Sequence, residues 1–223
     1  MNNCSVNNLL DLGKTIAKEL FDEVTFPWEV LPNIKEFIVR LGPSLSRDRF
    51  DNPQENVWIA KTANIFDTAY IAGPCIIDEG AEVRHCAFIR GSVIVGKNAV
   101  VGNSTELKNC LLFDGVQVPH YNYVGDSVLG YKAHLGAGAI TSNVKSDKTP
   151  VAVKHSDTNT VLNTELRKFG AVVGDYTEVG CNTVLCPGTI IGRECIIYPQ
   201  SRVRGVVNAG SIYKDAEHII KRQ

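Results

Sequence analysis

Among the side chains of this 223-residue sequence that can do chemistry near neutral pH, His120 has the most irregular surroundings. It lies in PHYNYVGD (119–126), three residues before Tyr123, where an otherwise regular pattern of aliphatic residues lapses. An imidazole accepts and returns a proton near pH 7, so His120 is the first candidate for acid–base work. A solvated histidine in a turn is the plain alternative. Arg90 and Lys108 each directly follow an aliphatic repeat position, Ile89 and Leu107, which turns them out of the core. A guanidinium fork and an ammonium can grip an anion, although a lone Lys or Arg more often sits solvated on an outer face. Seven cysteines, at 4, 75, 86, 110, 181, 186 and 195, include no CxxC pair. They read as reduced thiols, with Cys75 and Cys195 as small core fillers. Cys181 differs in falling at a turn position that can face a cleft.

The elements that carry these residues follow from a six-residue beat. From Ile59 an aliphatic residue or close substitute returns at Ile65, Ile71, Ile77, Val83, Ile89, Val95, Val101, Leu107 and Phe113. The beat resumes at Leu129 and Leu135, and again from Val173 through Val179, Leu185, Ile191 and Ile197 to Val203. Four places after most of these stands a small residue, such as Ala81, Ala87, Ala99, Thr105, Ala139, Thr183 or Ser201. A period of six fits neither a helix nor a flat strand. It predicts an all-β chain: a left-handed parallel β-helix of hexapeptide repeats, with short N- and C-terminal helices. At 18 residues per coil and about 4.8 Å per coil, near seven coils are expected.

The organisation expected is an N-terminal helical cap and linker over 1–56, the β-helix over 57–207 and a C-terminal helical tail over 208–223. Within the first part, 7–22 and 31–41 read as helices that cover the open end of the solenoid. The beat breaks twice. After Phe113 the next positions are Pro119 and Gly125, and the register restarts at Leu129, so a loop or bulge is expected around PHYNYVGD. The second break, a long insertion at about 144–170, carries Lys145, Lys148, Lys154, His155, Arg167 and Lys168 and is expected to leave the solenoid wall.

Composition excludes several classes. Apolar residues make up 44% and charged residues 21%, with a net charge of −1, which gives no reason to expect nucleic acid or an anionic membrane as partner. No basic start with a long apolar run opens the sequence, and no stretch approaches 18 apolar residues, so a cytoplasmic location is the default expectation.

The stretch STELKNCLLFDGVQVPHYNYVGDSVLGYKAHLGAGAITSN (104–143), with Arg90 before it, resembles the acetyltransferase half of the bifunctional glucosamine-1-phosphate acetyltransferase/N-acetylglucosamine-1-phosphate uridylyltransferase family. The shared pattern is an E-x-K element, a His with a Tyr three residues on, Y-[LV]-G-D, and I-G-A-G-T-I-T-x-N. Spacings agree without gaps from Arg90 to Asn143. The resemblance implies a homotrimer with sites between subunits, acetyl-CoA as co-substrate, no tightly bound metal, and an amino sugar or sugar phosphate as acceptor. It implies His120 as general base, Arg90 and Lys108 on the sugar's phosphate, and Tyr123 and Asn143 on the sugar. Ala137, Cys181 and Pro199 fall at coenzyme A contacts. In the mechanism expected, backbone N–H groups near His120 stabilise the tetrahedral oxyanion. His134 stands in a substrate position where the family pattern has Asn, which leaves the identity of the sugar open. The family's nucleotidyltransferase domain has no counterpart in the sequence, so uridylyl transfer is not expected.

Two other readings stay open on sequence alone. One is a non-catalytic relative that binds a sugar nucleotide. The other is a zinc enzyme of the γ-carbonic anhydrase type using histidines such as His85 and His120; the position five after His120 is Gly125, which breaks that type's close His pair.

Overall fold

A computed structural model describes residues 2–155 and 160–222. The chain winds into a left-handed β-helix of about eight turns, a triangular prism with three parallel faces. The first face stacks Val57–Ala60, Cys75–Ile77, Val93–Val95, the ends of Glu106–Leu112 and Tyr123–Leu129, then Ala171–Val173, Thr189–Ile191 and Val206–Val207. The second runs from Asn64–Ile65 through Gln117–His120 and His134–Leu135 to Ser211–Tyr213. The third carries Tyr70–Ile71, Phe88–Ile89, the starts of Glu106–Leu112 and Tyr123–Leu129, then Ile140–Thr141, Val184–Leu185 and Arg202–Val203. Aliphatic residues of the hexad point inward and are fully buried from Ile77 to Leu107, as the beat requires.

The expected break at PHYNYVGD does not exist. Val118 pairs with Val101, and Val124 with Leu107, so both continue the inward columns. The count drops elsewhere: Leu112, not Phe113, aligns with Val95, and Leu129 aligns with Leu112. Each interval from Leu107 to Leu112 and from Val124 to Leu129 has lost one residue. These two coils therefore turn from the third face to the first without interrupting the strand, through Asn109 (φ 48°) and Asp126 (φ 47°) in the left-handed region.

The N-terminal segment does not cap an end of the prism; it lies along the first face. Strand residues there are buried on both sides: Ile76, Ile94, Leu111, Val128, Val172 and Ile190 point outward yet are inaccessible. The helix Ile34–Leu41 packs on Val93–Val95 and Glu106–Leu112, Phe21 meets Phe113 edge-on at 5.9 Å, and Trp28 meets Phe169 at 5.7 Å. An apolar column this long must be covered, at roughly 1.5–3 kcal/mol per large side chain. Residues 7–22 form only the short helix Val6–Leu9 and tight turns at Leu12–Lys14 and Lys18–Phe21. There the backbone is committed to the prism: Asp11 N–H donates to Asp175 and Lys14 C=O accepts from Asp114.

The C-terminal tail is a hairpin, not a helix. Ser211–Tyr213 adds to the second face, and Ile219–Lys221 pairs with it antiparallel. The open sheet edge offers the chain backbone partners that an isolated helix would forgo. Past Asn143 the chain forms the hairpin Ala152–His155/Thr160–Asn163, anchored by buried Val151 and Val153. No helix among the described residues is long and apolar enough to cross a membrane.

Candidate active site

His120 sits at the corner between the second and third faces, with its side chain exposed. The corner is an ordinary one for this coil: Tyr121 supplies the left-handed turn at φ 52°. What differs is the residue that follows. The inward small position of the hexad holds Ala87, Thr105, Ala139 and Thr183 on other turns but Asn122 here, 2% exposed. Its Nδ2 donates to the carbonyls of Gly136 (2.8 Å) and Ala139 (3.0 Å), and its Oδ1 accepts the N–H of His120 at 3.1 Å. A buried amide with all its partners fixes the backbone that carries His120. The N–H of Tyr121 donates to Asn103 C=O. Both N–H groups are thus engaged, and neither is free to receive an oxyanion.

Below His120 the same corner carries Ala137, Cys181 and Pro199 on successive turns. Gly138 N–H donates to His120 C=O, Asn182 N–H to Ala137 C=O, and Gln200 N–H to Cys181 C=O. Cys181 and Pro199, with His134, Gly180, Ile197 and Tyr198, line a shallow and mostly apolar groove of about 370 Å³. His134 is on the second face; its Nδ1 lies 2.7 Å from Glu178.

Across the third face lies the second cluster. Tyr123 points outward, and its hydroxyl accepts from Asn143 Nδ2 at 3.2 Å. Burial, the largest influence, raises its pKa above the ordinary tyrosine value. Gly125 makes the room: a Cβ there would come within 2.5 Å of the Tyr123 hydroxyl. Asn143 also donates to Asp126, which is 4% exposed and accepts from Lys108 Nζ (3.2 Å) and Asn109 Nδ2 (2.9 Å). Arg90 donates to Glu106 at 2.7 Å. Each cation is thus paired with a carboxylate. Lys108, Tyr123 and Asn143 come together around Asp126, with Arg90 one turn away, whereas His120 lies at the opposite edge of the face. Tyr123 stands between the two edges. Asn122 and Asp126 escaped the reading of the sequence. The signals were present: a bulky polar residue in a small inward slot, and a coil one residue short.

Among the described residues, no three His, Cys, Asp or Glu side chains converge as a metal-ligand set. His85 Nδ1 is 2.9 Å from the Thr68 hydroxyl.

Residues 71–167 match the GMPPB C-terminal domain, and residues 170–205 match the bacterial transferase hexapeptide repeats. "Bifunctional protein GlmU" of Methanococcus vannielii is 31% identical over 98% of this chain and 54% of its own length. The "bifunctional sugar-1-phosphate nucleotidylyltransferase/acetyltransferase" of Sulfurisphaera tokodaii is 32% identical over 71% of this chain and 43% of its own. The chain therefore spans about half the length of the curated relatives it matches. A hexapeptide transferase family protein from Anaplasma phagocytophilum overlaps 75% of this chain and 79% of its own at 17% identity, with a TM-score of 0.43, too loose a superposition to support a function. The chain is a left-handed β-helix of transferase-type hexapeptide repeats, similar to the bifunctional GlmU proteins over nearly its whole length.

Proposed function

We propose that this protein transfers an acyl group, acetyl in the first instance, from coenzyme A to the amine of a phosphorylated amino sugar, with glucosamine 1-phosphate as the model acceptor. The observation that carries the reading is the ladder at one corner: His120 stands directly above Ala137, Cys181 and Pro199, the last two of which line an apolar groove together with Gly136 and His134. Such a groove suits the pantetheine arm, and its upper end brings the thioester beside an imidazole.

In the proposed reaction the sugar lies over Tyr123, with its phosphate toward Lys108 and Arg90 and its amine toward His120. The amine nitrogen attacks the thioester carbonyl, a C–N bond forms and the C–S bond breaks. His120 takes the proton the amine loses and returns it to the departing thiolate. A phosphate at Lys108 must share or displace Asp126, and one at Arg90 must share Glu106, so both carboxylates tune affinity rather than block it. The Sulfurisphaera tokodaii relative, named as an acetyltransferase, supports acyl transfer, and the engaged N–H groups at His120 leave oxyanion stabilisation to another group. A homotrimer, in which a neighbouring prism closes the groove, completes the proposed site.

The test is thiol release from acetyl-CoA against a panel of amino sugars and their 1-phosphates. The reading expects turnover with an aminated, phosphorylated acceptor and little with the N-acetylated or non-aminated counterpart. No thiol release with any amine rejects it.

A further inference from the structure

The third face holds more than a sugar phosphate needs. Its outward residues on successive turns are Tyr70, Phe88, Glu106 and Tyr123, in direct register. Tyr70 is 62% exposed and Phe88 41% exposed, and their rings meet edge-on with centroids 5.6 Å apart. Paired exposed aromatics on a strand face mark a binding surface. The Arg90 guanidinium lies 5.9 Å from the Phe88 ring centroid and donates to Glu106. Counting away from Tyr123, Glu106 and Lys108 lie one turn off, Arg90 and Phe88 two turns off, and Tyr70 three.

Resting on the acyl-transfer reading above, we infer that the acceptor is an amino sugar carried on a nucleoside diphosphate, with its base on Phe88 and Tyr70. The dimensions agree. Three turns of about 4.8 Å set Tyr70 about 14 Å from Tyr123, an interval that a diphosphate and a ribose span. The cations and rings suit the parts of such a ligand. Lys108 and Arg90 meet the two phosphates, and Arg90 has further N–H donors beyond the one given to Glu106. The rings of Phe88 and Tyr70, beside and beyond Arg90, meet the ribose and the π-face of the base. A free sugar 1-phosphate reaches only the cations and leaves Tyr70 and Phe88 in water.

The test titrates UDP, as a nucleoside diphosphate, into wild-type protein, Tyr70→Ala and Phe88→Ala by calorimetry, with light scattering on each. It also compares KM for UDP-glucosamine with KM for glucosamine 1-phosphate. The expected result is UDP binding weakened about 5- to 150-fold by Phe88→Ala, the range for loss of one base-stacking ring, and a lower KM for the nucleotide-linked acceptor. UDP that does not bind, or binds both variants as well as wild type, overturns the inference. So does a variant that falls to a smaller oligomer, which makes the aromatic pair a subunit contact. UDP binding through Phe88 in a protein without transferase activity upholds the nucleotide platform and defeats the acyl-transfer reading. An active enzyme indifferent to the nucleotide does the reverse.

Discussion

Asn122 holds His120 in place by accepting its main-chain N–H, while the same side chain ties the corner to the next turn through Gly136 and Ala139. Asn122→Ala removes three hydrogen bonds; the Gly136 carbonyl keeps the N–H of Ala139, while the Ala139 carbonyl and the His120 N–H lose this partner. The expected cost is about 2–3 kcal/mol in urea unfolding, together with a fall in kcat that exceeds any change in acetyl-CoA affinity. An unchanged kcat in the folded variant means the backbone of His120 needs no such support.

Lys108→Ala is expected to raise KM for the phosphorylated acceptor, with little change in KM for acetyl-CoA. It also leaves Asp126, 4% exposed, with only the amides of Asn109 and Asn143 as partners, so a stability loss of a few kcal/mol accompanies it. Steady-state kinetics at saturating acetyl-CoA separates the two effects. A constant acceptor KM removes Lys108 from the phosphate.

Gly125→Ala tests the sugar position. The added methyl meets the Tyr123 hydroxyl and Asn143 Nδ2, at 2.5 and 2.9 Å. Both side chains must shift, which is expected to raise acceptor KM tenfold or more while the fold survives; a 1 Å misplacement is costly in a positioned site. Wild-type kinetics in this variant means Tyr123 and Asn143 do not touch the acceptor.

Acid stability has a separate origin. Hydrogen bonds from Arg49 and then Lys97 lower the Glu79 carboxyl from 4.5 to about 2. Between those values the unfolded chain binds more protons at this residue than the folded one, so its contribution to stability grows as pH rises and is lost as pH falls through the window. Burial raises Asp78, Asp114 and Asp175, whose contributions run the opposite way. The clean readout is therefore the difference between wild type and Glu79→Gln in urea midpoint from pH 2.5 to 5. It is expected to widen with rising pH and level off above 4.5; a flat difference contradicts the clamp.

The β-helix was legible because the hexad is a geometric constraint: one inward aliphatic per side of each coil, repeated until the core is continuous. The apparent break near His120 misled because a fixed period of six cannot register a deleted corner residue. The loss after Leu107 shifted every later position by one, so the inward residues Val118 and Val124 seemed out of phase. The N-terminal strap was misplaced for a related reason. Ile94 and Leu111 stand beside inward residues and read as core, and nothing in a hexad distinguishes an outward column that another segment covers. At the tail, Ile219 and Ile220 satisfied a helical pattern, but pairing of Ile212 with Ile220 made a strand. His120 and the residues of its ladder were found through resemblance. The shortened coil marks Asp126 in the sequence, but its gathering of Lys108, Asn109 and Asn143 emerges only in the fold, because these partners are 17 or 18 residues away in sequence.

The most direct measurement is the single-turnover rate of acetyl transfer by His120→Ala beside wild type, with acetyl-CoA binding measured on both proteins. Loss of a general base predicts a rate lower by about 10²- to 10⁴-fold with acetyl-CoA affinity unchanged. Equal rates in the two proteins would contradict the assignment of His120 and, with it, the account of this corner as the place where acyl donor and amine meet.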